Sequence, residues 1–231
     1  MKNAILIAGH AVLRNTADVF ADSSWFLLDF QKGEAGSYVE HVRRGVELAS
    51  LDPDSLLIFT GGQSRLDAGP QSEAGGYWRV AERLGWFSHS EVRPRAITEE
   101  FSRDSFENLL LGICRFKEYA GRYPRHITFV SWEFKRERVD QHRAAIGWPG
   151  SRFAYDGPNN PPELPQALDS EARARAAYAA DPYSSGPFFR SKRDQRNPFR
   201  RSHGYLATSP GLEPLFRHQG PDLFAAPLPW H

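Results

Sequence analysis

The chain has a single cysteine, Cys114, among its 231 residues, so it can form neither an intramolecular disulfide nor a cysteine-rich zinc or iron–sulfur site. Its eight histidines form neither an H-x-x-x-H nor an H-E-x-x-H pattern, and we predict no metal site. No apolar run approaches the roughly 20 residues of a membrane-spanning helix. The 29 basic and 28 acidic residues leave a net charge of +1, which favours no DNA, RNA or membrane partner. We therefore expect a cytoplasmic protein.

Three motifs of well-known enzyme classes are also missing. The chain contains neither G-x-G-x-x-G nor G-x-x-x-x-G-K-[ST], which argues against an ordinary NAD-binding domain and a P-loop NTPase. It has no G-x-S-x-G turn, which argues against an α/β-hydrolase. The sequence identifies no cofactor.

The first two thirds of the chain alternate strand and helix patterns. Three short apolar runs, 4–8, 56–60 and 127–131, are typical of parallel strands buried on both faces. Between them, apolar residues recur three and four apart, as in amphipathic helices: Val39, Val42, Val46 and Ala49; Ala74, Tyr77, Ala81 and Leu84; Phe106, Leu109, Leu110, Ile113 and Phe116. Residues 152–155 are expected to add an edge strand. This alternation predicts a Rossmann-like, doubly wound, mainly parallel sheet with helices on both faces.

Proline divides the chain into two parts. Only 5 of the 17 prolines lie in residues 1–150, and 12 lie in residues 151–231. We interpret residues 1–157 as the Rossmann-like domain and residues 158–231 as a proline-rich, basic, loop-rich extension that packs on it.

Polar residues follow each predicted strand, and doubly wound sheets bind ligands at the carboxyl ends of their strands. Backbone amides and the start of a helix stabilise anions there. The ligand-binding residues predicted on this basis are Gly9, His10, Gly61, Gly62, Ser72, Glu73, Ser102, Arg103, Ser105 and Asn108, with Arg138 supplying positive charge.

Each of these signals also has a purely structural interpretation. Gly61 and Gly62 can serve only to shape a tight turn. Asp104 with Glu107 fits a capping box, and Ser72 stands where a helix begins. The charged run from Lys135 to Arg138 is also typical of a solvated helix face.

Taken in order, the segments resemble the YdcF-like proteins, the domain of unknown function 218 group with SanA- and ElyC-like members. The similarity rests on Gly61-Gly62, on Ser72-Glu73-Ala74, on residues 100–108 as E-x-x-S-x-[ND]-T-x-E-N, and on residues 131–138 as [TS]-s-x-[FY]-H-x-x-R. It covers roughly residues 3–157. The resemblance implies a Rossmann-like fold and a polar cleft for a nucleotide-like or phosphorylated ligand. Lys135 stands where the family usually has histidine, so a fixed charge replaces a group that titrates near neutral pH. The extension resembles that of an intracellular, fungal-like branch.

The extension combines a basic segment with many aromatic residues. Residues 170–180 predict a short helix, and residues 190–203 hold six Lys or Arg against one acid. A solvated basic loop is one interpretation. We prefer another, in which some of the residues Lys192, Arg193, Arg196 and Arg200 fold over the cleft and add positive charge for an anionic ligand. Eleven aromatic residues between Phe153 and Trp230 predict an ordered, mostly irregular layer wrapped around the domain.

These observations predict an enzyme that hydrolyses or transfers a phosphate ester or anhydride of a phosphorylated or nucleotide-like small molecule. Asp104, Glu107 or Glu133 would act as general acid or base, and Lys135 would neutralise the anion or, if desolvated, transfer a proton. One alternative is a non-catalytic module that binds a nucleotide or an S-adenosylmethionine-like ligand. Another is an interaction protein whose basic tail is the binding surface.

Overall fold

The computed structural model describes residues 1–231 and is built around a five-stranded sheet. Its strands are β1 (Asn3–Ala8), β4 (Ser55–Thr60), β5 (Ala96–Glu99), β6 (Ile127–Val130) and β7 (Phe153–Asp156), in the spatial order β5-β4-β1-β6-β7. Every neighbouring pair is parallel, with Ile5 beside both Leu57 and Thr128. The prediction of a Rossmann-like parallel sheet is therefore confirmed. The strand order reverses on either side of β1, which places a ligand crevice between β1 and β6.

Helices cover both faces of the sheet because the strands are apolar on both sides. On one face, Ile5 and Ile7 of β1 pack with α1 (Ala35–Leu51) and α2 (Glu73–Arg83). On the other, Ala4, Leu6 and Ala8 pack with α3 (Ser105–Ala120) and α4 (Arg136–Ala145). Odd- and even-numbered residues of β1 face opposite sides of the sheet because successive side chains of a strand point in opposite directions.

Two short strands lie outside the main sheet and were not predicted. β2 (Val12–Leu13) and β3 (Trp25–Phe26) form an antiparallel hairpin. Each is only two residues long, so neither leaves a recognisable alternation in the sequence. The four-residue β5 was also missed, because Ala96 to Glu99 contains only one strongly apolar residue, Ile97.

The extension is more helical than the sequence predicts. α5 (Leu164–Ala180) begins six residues before the predicted start, α6 (Pro187–Gln195) replaces the first part of the predicted basic loop, and α7 (Glu213–Arg217) follows. Lys and Arg are good helix formers, and Pro187 occupies the first turn of α6, where proline is tolerated. The expected mostly irregular layer is therefore corrected to a layer with three helices.

Aromatic residues of the extension belong to the same apolar cluster as α3. Tyr178, Phe189, Tyr205 and Trp230 are at most 5% exposed and pack in it, whereas Phe188 remains 66% exposed. No helix in the chain combines the length and the apolar character needed to cross a bilayer.

Candidate functional site

A cavity of about 860 Å³ opens at the carboxyl ends of the sheet strands. Its walls include residues directly after β1, β5 and β6, together with side chains from α5 and α6 of the extension. The volume lies within the roughly 300–1,000 Å³ typical of small-molecule sites.

Most of the predicted site residues line this cavity. They are Gly9, His10, Glu73, Ser102, Arg103, Asp104, Ser105, Asn108, Lys135, Arg138, Lys192 and Arg196. Six others do not line it: Gly61, Gly62, Ser72, Glu107, Glu133 and Arg193.

The glycine turns do not present amides to a ligand, in contrast to what the sequence suggests. The amide of Gly9 donates to Thr60 O (2.7 Å), that of Gly61 to Glu99 O (3.0 Å) and that of Gly62 to Ser102 O (2.8 Å). A Cβ at Gly9 or Gly61 would lie 2.7–2.8 Å from the Cβ of Glu73, and Gly61 has a φ of +143°. These glycines therefore allow the close approach of Glu73 to two turns of the backbone.

Ser72 and Glu107 also have structural roles. The Ser72 hydroxyl caps α2 by accepting from the amide of Gly75 (2.9 Å). The Glu107 carboxylate pairs with the Arg103 guanidinium and accepts from the Arg103 amide (2.9 Å), so it turns back on the loop before α3. The structure thus supports the capping interpretation of Ser72, whereas Glu107 binds Arg103 rather than the Asp104 amide that a capping box requires.

Asp104 joins the domain to the extension. Its Oδ1 caps α3 by accepting from the Glu107 amide (2.9 Å), and its Oδ2 accepts from Arg193 Nε (2.6 Å). Burial alone would raise the pKa of Asp104, but Arg193 and the cap lower it to about 2. Asp104 is therefore a fixed anion, which does not suit the predicted acid or base role.

Glu133 lies outside the cavity. Its carboxylate binds the Arg136 guanidinium (2.6–2.7 Å), which also donates to the Tyr155 carbonyl (3.0 Å). The side chain is 39% exposed. The predicted catalytic role of Glu133 is thus at odds with its position.

Lys135 is the last residue of a short 3-10 turn that leads from β6 into α4. Its ammonium lines the cavity, lies 5.4 Å from the centre of the Phe134 ring and forms no ion pair within 4.0 Å. Burial, reinforced by the charge of Arg138, lowers the pKa of Lys135 from 10.5 to about 7. An ammonium in this position is poorly stabilised unless an anion joins it.

Arg138 has a partner that the sequence did not reveal. Its guanidinium pairs with Glu171 of α5 (3.0 Å), and both side chains are at most 10% exposed. The Nε of Arg138 is buried without an acceptor. The helix predicted over residues 170–180 put Glu171 at its beginning, whereas α5 begins at Leu164 and buries Glu171.

Helix α6 contributes the cation Lys192, and the exposed residue at its C-terminal cap, Arg196, contributes another. Lys192 and Arg196 are four residues apart and both line the cavity. Burial and the charges of Arg196 and Arg138 lower the pKa of Lys192 to about 8. Arg196 donates only to the Arg103 carbonyl (3.2 Å), and neither residue forms an ion pair. Arg200 does not line the cavity.

His10 is held in its neutral form by its surroundings. Burial and the nearby charges of Lys135 and Arg138 hold its pKa well below the ordinary value. Its Nε2 lies 3.2 Å from Ser131 Oγ, and its ring contacts His41 and Trp132. His10 can therefore accept or donate a hydrogen bond but cannot neutralise an anion.

One part of the cavity rim is apolar and was not predicted. Leu28, Phe30 and Leu66 line it while remaining 43%, 66% and 71% exposed. These residues come from short turns that carry no motif, so only the structure could bring them to the site. No group of three or more His, Cys, Asp or Glu side chains is arranged to hold a metal ion.

Comparison with known proteins adds one relative. The chain is 26% identical to the protein called "Uncharacterized protein YOR238W" of Saccharomyces cerevisiae, over an alignment that covers 78% of this chain and 76% of the yeast protein. No family model matches the chain, and no solved structure matches it. The resemblance to the YdcF-like proteins stays a prediction.

Proposed function

We propose that the protein is an enzyme that hydrolyses or transfers a phosphate ester or anhydride of a phosphorylated or nucleotide-like small molecule. The observation that carries this proposal is a set of three cations, Lys135, Lys192 and Arg196, which line one cavity without ion-pair partners. We call them the cation cluster.

The cation cluster is arranged unfavourably unless an anion binds to it. Burial and the positive charges of Arg138 and Arg196 lower the pKa of both lysines, so their charged forms are disfavoured in the protein alone. A bound phosphate would restore the charged forms and accept their hydrogen bonds. It would also supply an acceptor for the buried Nε of Arg138.

The carboxyl group best suited to proton transfer in this proposal is Glu73. It lines the cavity and accepts a hydrogen bond from Ser64, and burial raises its pKa. A carboxyl group with a raised pKa can act as an acid or a base closer to neutral pH. Among the carboxyl groups, Glu73 is therefore a better candidate for proton transfer than Asp104, Glu107 or Glu133.

A non-catalytic binding module is the second candidate. It is favoured by the engagement of Asp104, Glu107 and Glu133 in caps and ion pairs, which leaves fewer groups for chemistry. The two candidates share the anion site and differ in turnover.

The anion site is tested by replacing Lys192 with alanine. We expect the affinity for pyrophosphate and ATP, measured by calorimetry, to fall roughly tenfold or more, since a hydrogen bond to a charged group contributes about 1.5–3 kcal/mol. Arg190→Ala is the matched control, because Arg190 is an exposed cation of the same helix outside the cavity.

The outcomes separate the candidates. Release of phosphate from ATP or from a phosphate monoester by the wild-type protein favours the enzyme, whereas binding without any product favours the module. Equal affinities in Lys192→Ala, Arg190→Ala and wild-type protein would contradict the anion site itself.

A further inference from the structure

A serine and a histidine form a close pair at the wall of the cavity. Ser105 Oγ, at the first residue of α3, lies 2.9 Å from His142 Nε2 of α4. Ser105 lines the cavity, whereas His142 is 1% exposed and does not. The hydroxyl therefore faces the ligand space, with the imidazole behind it.

His142 is held in place by the rings around it. Its ring packs edge-on against Tyr178 (4.4 Å between centres) and against Phe106 (5.7 Å). Burial, with Arg138 nearby, lowers the pKa of His142 to about 3, so the ring is neutral and its lone pair is free, but it is a weak base in the protein alone. A bound anion beside Arg138 would raise this pKa and make His142 a stronger base. The negative charge of Asp104 acts in the opposite direction and stabilises an imidazolium once it forms.

The same turn of α3 offers hydrogen-bond donors beside the hydroxyl. The backbone amides of Ser105 and Phe106 donate to no acceptor in the protein, because the Asp104 side chain caps only the Glu107 amide. Arg138, which carries a guanidinium group, lines the same cavity. Such donors stabilise charge that develops on oxygens bound to phosphorus.

We propose that Ser105 is a nucleophile that attacks phosphorus, with His142 as the base that accepts its proton. This inference rests on the proposed function, which supplies the phosphorus-centred substrate. The Oγ–P bond forms as the bond from phosphorus to the leaving oxygen breaks, and the Oγ proton passes through His142 Nε2 to that oxygen. Water then cleaves the Oγ–P bond, giving a proton to Ser105 and its hydroxide to phosphorus, with His142 again carrying the proton.

The test uses diisopropyl fluorophosphate, a phosphorus electrophile that needs no knowledge of the natural substrate. Attack by Ser105 forms an Oγ–P bond and expels fluoride, and His142 passes the Oγ proton on to solvent. We expect intact-protein mass spectrometry to show one adduct and peptide mapping to place it on Ser105. Ser105→Ala should remain unlabelled, whereas Ser170→Ala, which removes another serine hydroxyl from the wall of the cavity, should label like the wild type.

His142→Gln should label roughly a hundredfold more slowly or worse, the usual contribution of a general base. If His142→Gln fails to fold, the adduct mapped on the wild-type protein still tests whether Ser105 is the nucleophile. An unlabelled wild type, or an adduct on a residue other than Ser105, overturns the proposed nucleophile.

Competition by pyrophosphate separates this inference from the function on which it rests. An adduct on Ser105 whose formation pyrophosphate slows supports both. An adduct that pyrophosphate leaves unaffected supports the nucleophile and counts against a phosphate ligand. No adduct, together with pyrophosphate binding that depends on Lys192, overturns the nucleophile and leaves the proposed function standing.

Discussion

Lys135→Met is expected to stabilise the ligand-free protein while abolishing its affinity for anions. Methionine preserves most of the apolar stem of lysine and removes the buried ammonium, which has no carboxylate partner within 4.0 Å. Burial is the largest cause that lowers the pKa of Lys135; Arg138 and Arg196 lower it further, whereas Glu171 and Glu34 act in the opposite direction. The wild-type protein therefore tolerates an unfavourable group at the site where an anion is to bind.

The size of the stabilisation follows from the pKa of Lys135, which falls from 10.5 in an exposed lysine to about 7 in the folded protein. One pKa unit corresponds to about 1.4 kcal/mol, and water in the open cavity screens part of the effect, so we expect a gain of roughly 2–4 kcal/mol at pH 7.5. The free energy of unfolding is measured by urea titration. Lys32→Met, at the exposed mouth of the cavity, is the control and should change it by less than about 0.5 kcal/mol.

The stability that Lys135→Met gains over the wild type must also depend on pH in a defined direction. Between about pH 7 and pH 10.5 the unfolded chain keeps the proton on Lys135 and the folded chain loses it. The unfolded state then binds more protons, so wild-type stability rises with pH, by at most about 1.4 kcal/mol per pH unit from this group. The advantage of Lys135→Met is therefore largest near pH 7 and shrinks toward pH 9. A variant that is less stable than the wild type, or an advantage that does not change with pH, would refute the reasoning.

Two further predictions concern buried carboxylates. Arg193→Ala leaves Asp104, which is 4% exposed, without its cation and should lower the free energy of unfolding by about 3 kcal/mol. Arg190→Ala on the same helix is the control and should change it little. Equal melting temperatures for the two variants would contradict a stabilising contact between Arg193 and Asp104. Burial raises the pKa of Glu99 to about 7, although Ser102 and Tyr205 donate to it. The folded chain therefore holds this proton more tightly than the unfolded one, and wild-type stability falls as pH rises from about 4.5 to 7. Glu99→Gln should become more stable relative to the wild type over that interval in urea titrations, and a constant difference would exclude the titration of Glu99.

The sequence alone determined the parallel sheet and its three main helices. Apolar runs such as residues 56–60 and helical repeats such as Val39 to Ala49 report burial directly, because strand and helix periods differ. The same local reasoning placed the residues after β1, β4 and β6 and those at the start of α3 at one edge, since parallel strands all end there. The sequence did not predict the shortest elements, because β5 and the β2–β3 hairpin contain too few residues to show a strand period.

The partners of the polar residues were decided only by the tertiary structure. Asp104 and Arg193 are 89 residues apart, and Arg138 meets Glu171 across two helices, so no spacing in the chain could pair them. Conversely, Lys135, Lys192 and Arg196 became candidates for one site because folding left them unpaired in the same cavity. The chemistry of a charged side chain depends on the groups that neutralise it, and those groups are chosen by packing between distant segments rather than by neighbours in sequence.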